Sequence, residues 1–182
     1  AFNKRFLNPA KDGYETGTET EYRQTSNIQP LTFGLVPEEH HAAVFGRLKS
    51  ELCKTGKPSL NTGLLGPRYL LEVLADNDEV DVAYELLTSE EYPSWGHWFA
   101  NGGVSLEEAW ELDRRSFSHH MFGSIDAWLY QYLAGIRPSE AGFRGIAITP
   151  HVPTALPSVA ATVATPAGEV QSNWHRDEAG SY

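Results

Sequence analysis

Between two apolar periodic stretches the chain places Ser105-Leu106-Glu107-Glu108-Ala109-Trp110 and, a few residues on, Ser116-Phe117-Ser118-His119-His120. A carboxylate in such a run can act as general base or nucleophile, and an imidazole can hold a hydroxyl. An indole beside them can stack on a sugar ring or wall off water. The same spacing has a structural reading. Ser105 followed by Glu108 is the pattern of a capping box, in which the hydroxyl accepts from a backbone N–H of the first helical turn and the glutamate reaches back to the cap. On spacing alone the capping box stands ahead of catalysis, because such boxes commonly open helices.

Other chemistry-bearing residues are weaker. His40-His41 lies in the first turn of a helix, and adjacent helical positions point about 100° apart, so the pair does not converge on one ion. No metal site is assigned. Cys53 is the sole cysteine, which excludes an internal disulfide and a multi-cysteine zinc site; its place in an apolar helical period makes it a core residue. Tyr92-Pro93-Ser94-Trp95-Gly96-His97-Trp98-Phe99 reads as an aromatic loop broken by proline and glycine. Trp98 and Phe99 are expected to fill the core, whereas Trp95 is balanced between core and sugar contact.

These residues need a scaffold, and the flanking periodicities supply one. A helix is expected over about Glu19 to Leu35, interrupted or kinked at Pro30. Pro37-Glu38-Glu39 opens another that carries Val44, Leu48 and Leu52 at four-residue intervals and stops at Lys54-Thr55-Gly56. Short helices over Arg68 to Ala75 and around Val82 to Leu87 follow, and short turns between them imply antiparallel neighbours. Phe122, Ile125, Trp128, Leu129, Tyr132 and Leu133 predict one long amphipathic helix ending near Gly135. After a joint over Arg137 to Gly142 the apolar period changes to two, with strands around Phe143, Ile146 and Ile148, around Val159 to Val163 and around Val170 to Trp174. Thr165-Pro166-Ala167-Gly168 is the hairpin turn, and Asp177 to Gly180 would make another.

With 182 residues, a formal charge of −10 and a pI near 5.1, the chain can bury a real core and carries no clustered Lys and Arg for a phosphate backbone. Nucleic acid and anionic membrane are therefore not expected partners. No apolar run approaches the ~20 residues of a membrane-spanning helix. A soluble protein is expected, with the cytoplasm placed ahead of secretion.

Four blocks in order carry a resemblance. Glu91 to Gly96, Gly102 to Trp110, Phe117 to Gly123 and Ala127 to Ile136 resemble the Y-P-S-W-G turn, the G-A-T-T-x-W-E-x-W stretch, the F-N-H-Y-A-F-G stretch and the E-W-L-Y-x-x-x-A-G-I helix of the bacterial α-L-rhamnosidases of glycoside hydrolase family 78. Ala1-Phe2-Asn3, Gly34 to Glu39 and Thr62 to Leu71 are similar to preceding parts of that catalytic domain. Gly142 to Pro150 is similar to the first strand of its C-terminal β-sandwich. The resemblance implies a mainly α chain: residues 1–136 as the C-terminal part of an (α/α)6 toroid, residues 137–182 as the start of a sandwich with a few antiparallel strands.

It further implies an inverting glycosidase that needs no cofactor and takes terminal L-rhamnose of glycosides or polysaccharides. Inversion uses one carboxylic acid to protonate the leaving oxygen and one carboxylate to activate water from the opposite face. By resemblance Glu108 is that base, with Glu107 and Glu111 the neighbouring carboxylates that could take its place. His119, Trp110 and Trp95 are the implied rhamnose-binding residues. The chain departs from the pattern at Glu107, where the family has tryptophan, and at Ser118 and His120. The family's general acid and rhamnose-gripping residues lie upstream of the matched region, so the chain alone is expected to be a fragment without turnover, and exposed helix faces or a sheet edge are expected to favour self-association. The alternatives are a non-catalytic carbohydrate-binding or helical interaction module, and another (α/α)6 glycosidase, because a fold does not fix a reaction.

Overall fold

A computed structural model describes residues 1–18, 21–111 and 116–177. The helical part runs α1 (Phe2–Phe6), α2 (Gln24–Thr32), α3 (Glu38–Leu52), α4 (Pro67–Asp76), α5 (Val80–Thr88), α6 (Trp95–Ala100) and α7 (Ile125–Trp128). Helix α2 packs on α3 and α4, α4 on α5 and α7, and α5 on α6. Their buried faces, among them Ile28, Val44, Leu48, Leu52, Leu70, Leu74 and Leu86, form one core. Among the described residues no helix is long and apolar enough to cross a membrane.

Helix α2 is shorter than its sequence suggests. It ends at Thr32 because Gly34 takes a left-handed φ of 61°, letting the Leu35 N–H reach the Pro30 carbonyl at 2.9 Å and the Gly34 N–H the Leu31 carbonyl at 3.3 Å. That pair of bonds is a Schellman closure, which satisfies the last carbonyls and forbids another turn. Pro30 thus sits in the final turn and kinks nothing downstream. The helix also begins later than expected, at Gln24, since residues 21–23 are not helical; residues 19–20 lie outside the described residues.

The stretch expected as an aromatic loop instead forms helix α6 from Trp95. Ser94 caps it, its Oγ accepting from the His97 N–H at 2.9 Å. A serine three residues before a backbone donor is enough to start a helix even when the preceding proline and following glycine read as breakers.

The long amphipathic helix expected near the end is one helical run with three windings. A 3-10 turn covers Phe122–Ser124, α7 follows, and a π turn covers Leu129–Leu133, where the Ala134 N–H reaches back five residues to the Leu129 carbonyl at 3.0 Å. The wider turn lets Trp128 and Tyr132 both face inward with stacked rings 6.1 Å apart. Gly135 then reverses the chain at φ 73°, with its Cα so near Pro150 that an added Cβ would lie 2.3 Å from the Pro150 nitrogen. Only glycine fits that crossing.

Strand β1 (Ile136–Pro138) pairs antiparallel with β2 (Ile146–Ile148), and β3 (Ser158–Thr165) with β4 (Gly168–His175). The expected joint over Arg137 therefore already begins a sheet. Phe143, expected in a strand, closes a 3-10 turn over Ala141–Phe143 with φ 57°. The β3–β4 hairpin turns through Pro166 and Ala167, as its sequence indicates. It lies against the end of the helical run: the Ser172 hydroxyl donates to the Ala134 carbonyl at 2.7 Å and the Trp174 indole to the Leu133 carbonyl at 2.8 Å. The turn expected after Asp177 falls on residues 178–182, outside the described residues.

Candidate active site

The loop before α4, helix α6 and the long segment before the Phe122 turn are tied together by side-chain bonds. Gln24, in the first turn of α2, secures the first loop: its side-chain amide donates to the Ser59 carbonyl at 2.9 Å and its oxygen accepts from the Asn61 N–H at 2.7 Å. Three residues on, Asn27 accepts from the Tyr14 N–H at 2.7 Å. Both are buried polar side chains with their bonds made, so they fix loop positions at no desolvation penalty left uncompensated.

The segment Gly102 to Glu111 has no helix. The capping box expected at Ser105 is not formed: residues 105–111 are bends and irregular backbone, and the buried Ser105 Oγ has no hydrogen-bond partner among the described residues. The backbone instead pairs with the segment carrying the histidines. The Glu108 N–H donates to the Ser116 carbonyl at 3.0 Å and the His119 N–H to the Leu106 carbonyl at 2.7 Å. Two backbone bonds thus tie together the segments that carry Glu108 and His119, eleven residues apart in sequence.

Beneath this loop pair lies an aromatic floor. Trp95 and Trp98 are fully buried and Trp110 is 7% exposed. Trp110 sits 5.3 Å from Trp95, 4.9 Å from Trp98 and 4.4 Å from Phe122, ring centre to ring centre. The indole N–H groups donate to backbone carbonyls, Trp95 to Phe122 at 3.1 Å, Trp98 to Trp110 at 2.8 Å and Trp110 to Thr62 at 3.0 Å. Trp95 and Trp110, read from sequence as sugar contacts, therefore present no open ring face in this arrangement; they hold the loops from below.

The three carboxylates differ in setting. Glu107 is 3% exposed, turned into the protein. Glu111 is exposed and engages Tyr92, whose hydroxyl is pushed above its ordinary range by burial and then by the charge and hydrogen bond of that carboxylate. Glu108 is half-buried. His119 is also half-buried, with its ring stacked on His120 at 5.1 Å. Its Nδ1 accepts from the Met121 N–H at 3.3 Å, so the neutral ring carries its proton on Nε2 and offers a donor there.

Trp98 lies in the core as expected, whereas Phe99, expected there too, is 54% exposed; sequence reasoning missed the indole bond of Trp98 and the roles of Thr62 and Gln24. Gln24 and Asn27 did leave a signal, polar residues three apart on the same helical stripe as Ile28 and Leu31, where only a satisfied amide is tolerated. Thr62 and Trp98 left none, because an indole bond to a distant carbonyl has no spacing rule.

The family model for the bacterial α-L-rhamnosidase 6 hairpin glycosidase domain matches residues 1–133. The chain belongs to the bacterial α-L-rhamnosidase family. The model for the C-terminal domain of bacterial α-L-rhamnosidases matches residues 135–181. An α-L-rhamnosidase of Formosa agariphila is 33% identical over 184 residues, taking in 96% of this chain and 19% of that protein. One of Streptomyces avermitilis is 34% identical over 167 residues, 86% of this chain and 16% of the relative. Among solved structures, the α-L-rhamnosidase from Dictyoglumus thermophilum matches with a TM-score of 0.87 at 35% identity, over 97% of this chain and 20% of that one. The Streptomyces avermitilis α-L-rhamnosidase complexed with L-rhamnose matches with a TM-score of 0.85 at 30% identity, over 97% and 17%. This rhamnosidase-family chain therefore spans a fifth or less of the length of these relatives.

Proposed function

We propose that this chain is the base-bearing portion of an inverting α-L-rhamnosidase that hydrolyses terminal α-L-rhamnosides, with residues 1–136 completing a toroidal catalytic domain and residues 137–182 beginning a β-sandwich. Glu108 activates the attacking water and His119 donates from Nε2 to a hydroxyl of the bound sugar. The observation that carries this reading is the backbone pairing of residues 106–108 with 116–119 above the tryptophan floor. It ties the segment of a half-buried carboxylate to that of an imidazole with a defined donor, where there is no helix for Glu108 to cap.

In this reading the carboxylic acid that protonates the leaving oxygen comes from upstream of the matched blocks, in the larger enzyme of which the chain forms part. A base separated from its acid by the ~6.5–9.5 Å that leaves room for water is the arrangement inversion needs. Glu108 is preferred to its neighbours because the resemblance falls on it, Glu107 is buried and Glu111 is exposed.

The test is hydrolysis of a chromogenic α-L-rhamnoside by the complete enzyme, wild type against Glu108→Gln. Glutamine keeps the shape and removes the base, so kcat is expected to fall about a hundredfold or more with the fold intact. A fully active variant would remove Glu108 from the chemistry. An inactive wild type would favour a carbohydrate-binding module instead.

A further inference from the structure

The fully buried Trp98 makes two bonds that bracket the segment on which Glu108 lies. At one end its backbone carbonyl accepts from the Gly103 N–H at 2.7 Å; at the other its indole Nε1–H donates to the Trp110 carbonyl at 2.8 Å. Gly103 is held so closely that a Cβ there would lie 2.7 Å from the Trp98 oxygen. Trp98 also packs against Trp110 at a 34° tilt, ring centres 4.9 Å apart, and meets Phe122 edge-on at 5.2 Å.

We infer that Trp98 is a positioning residue for the proposed base, acting through a clamp on both ends of residues 103–110. This rests on the assignment of Glu108. A loop without a helical ladder has few bonds of its own to fix a carboxylate. Among the described residues, two backbone bonds tie this loop to the histidine segment and two more tie it to Trp98. The clamp continues into the scaffold through the Trp110 indole, which donates to the Thr62 carbonyl. A base must sit within about 0.5 Å of its productive place, and a displacement of ~1 Å can cost about a hundredfold in rate. Because the base acts on water in the transition state, loosening it lowers kcat and leaves substrate binding largely in place.

The experiment uses the complete enzyme and a chromogenic α-L-rhamnoside, comparing Trp98→Phe with Trp128→Phe. Trp128 is the matched control, since its buried indole also donates to a backbone carbonyl, that of Leu71 at 3.0 Å, away from the Glu108 segment. Trp98→Phe is expected to lower kcat about ten- to a hundredfold with KM changed less than about threefold, and to displace the acidic limb of the pH profile of kcat/KM. Trp128→Phe is expected to lower thermal stability comparably with kcat within about twofold. If Trp98→Phe does not fold, benzothienylalanine at position 98 keeps the ring shape and removes only the N–H, and the same kcat loss is expected. Equal kcat effects at the two positions, or unchanged kcat and pH profile with the N–H removed, would overturn the inference. Glu108→Gln measured alongside separates the two ideas: an active Glu108→Gln overturns both, whereas an inactive Glu108→Gln beside a normal position-98 variant overturns only the clamp.

Discussion

The indole N–H of Trp110 donates to the Thr62 carbonyl at 3.0 Å, across 48 residues of sequence. The bond ties the loop before α4 to the Glu108 segment, and it is one instance of a device used throughout. Trp95, Trp98, Trp128 and Trp174 likewise donate to the carbonyls of Phe122, Trp110, Leu71 and Leu133, so each tryptophan serves at once as apolar filling and as a staple between segments. A buried indole needs its donor satisfied, and a loop carbonyl beneath the surface needs a donor; each answers the other.

Trp110→Phe keeps a ring in the aromatic floor and leaves the Thr62 carbonyl without its donor. The expected cost is about 1–3 kcal/mol of stability, the usual consequence of orphaning a buried acceptor. Urea unfolding of the chain should show a lower midpoint at unchanged slope; an unchanged midpoint would mean that water replaces the indole there.

The three neighbouring glutamates should separate kinetically. In the complete enzyme Glu108→Gln is expected to lose kcat about a hundredfold or more, and Glu111→Gln less than about tenfold, because Glu111 is exposed at the surface. Glu107→Gln, at a position 3% exposed, is expected to lower thermal stability more than kcat. Rate assays paired with melting curves decide it, and a Glu111 effect as large as that of Glu108 would move the base.

Much of this was readable from residues alone, and the failures have physical causes. The four-residue recurrence of Val44, Leu48 and Leu52 gave α3, and alternation gave the β3–β4 hairpin, because burial on one face imposes a period. The end of α2 was misplaced because a Schellman closure at Gly34 depends on one residue's φ, which periodicity does not encode. The Ser105 to Glu108 spacing suggested a helix cap, yet residues 106–108 gain more from backbone pairing with 116–119, a contact made through tertiary structure. The resemblance, rather than any spacing rule, is what singles out Glu108 and His119 for the proposed roles. The burial of Trp95 and Trp110 was not legible, since a tryptophan in a polar run reads the same whether it faces a ligand or the core.

Gly103→Ala tests the closeness of the Trp98 contact. An alanine Cβ would approach the Trp98 carbonyl oxygen at 2.7 Å, so backbone must shift. A loss of about 1–3 kcal/mol is expected, as for other overpacked sites. Gly102→Ala is a different case, with open space around its Cβ but a φ of 86°, and its cost is expected to be about 1–2 kcal/mol from backbone strain alone. Differential scanning calorimetry of the two variants measures both.

The purified chain by itself is expected to show no turnover of a chromogenic α-L-rhamnoside, because a base without its acid typically forgoes about 10²–10⁴ in rate and the pocket is completed by other segments in the proposed enzyme. Release of the chromophore above the buffer rate by the chain alone would overturn the division of the acid and base between segments.

The junction between the helical run and the sheets should make stability depend on pH. His151 donates its backbone N–H to the Tyr132 carbonyl at 2.8 Å, and its Nε2 accepts from the Arg137 guanidinium at 3.2 Å, while that guanidinium lies 4.6 Å over the Tyr132 ring. Burial first, and the Arg137 charge second, hold His151 below its ordinary value, with Asp76 and Asp78 pulling the other way. The folded chain therefore binds fewer protons at this site than the unfolded chain does, so stability rises with pH. The contribution is complete above the unfolded value of about 6.5 and is lost as pH falls through it toward the depressed folded value. Glu72 has the opposite sign, raised by burial and then by Asp76 against Arg68, and acts in the range just above an ordinary carboxylate. His151→Gln retains an acceptor for Arg137 and cannot titrate, so the difference between wild-type and variant melting curves isolates the histidine. The wild type is expected to lose more melting temperature than the variant between pH 7.5 and about pH 5.5; parallel curves would show that His151 titrates alike in the folded and unfolded chain.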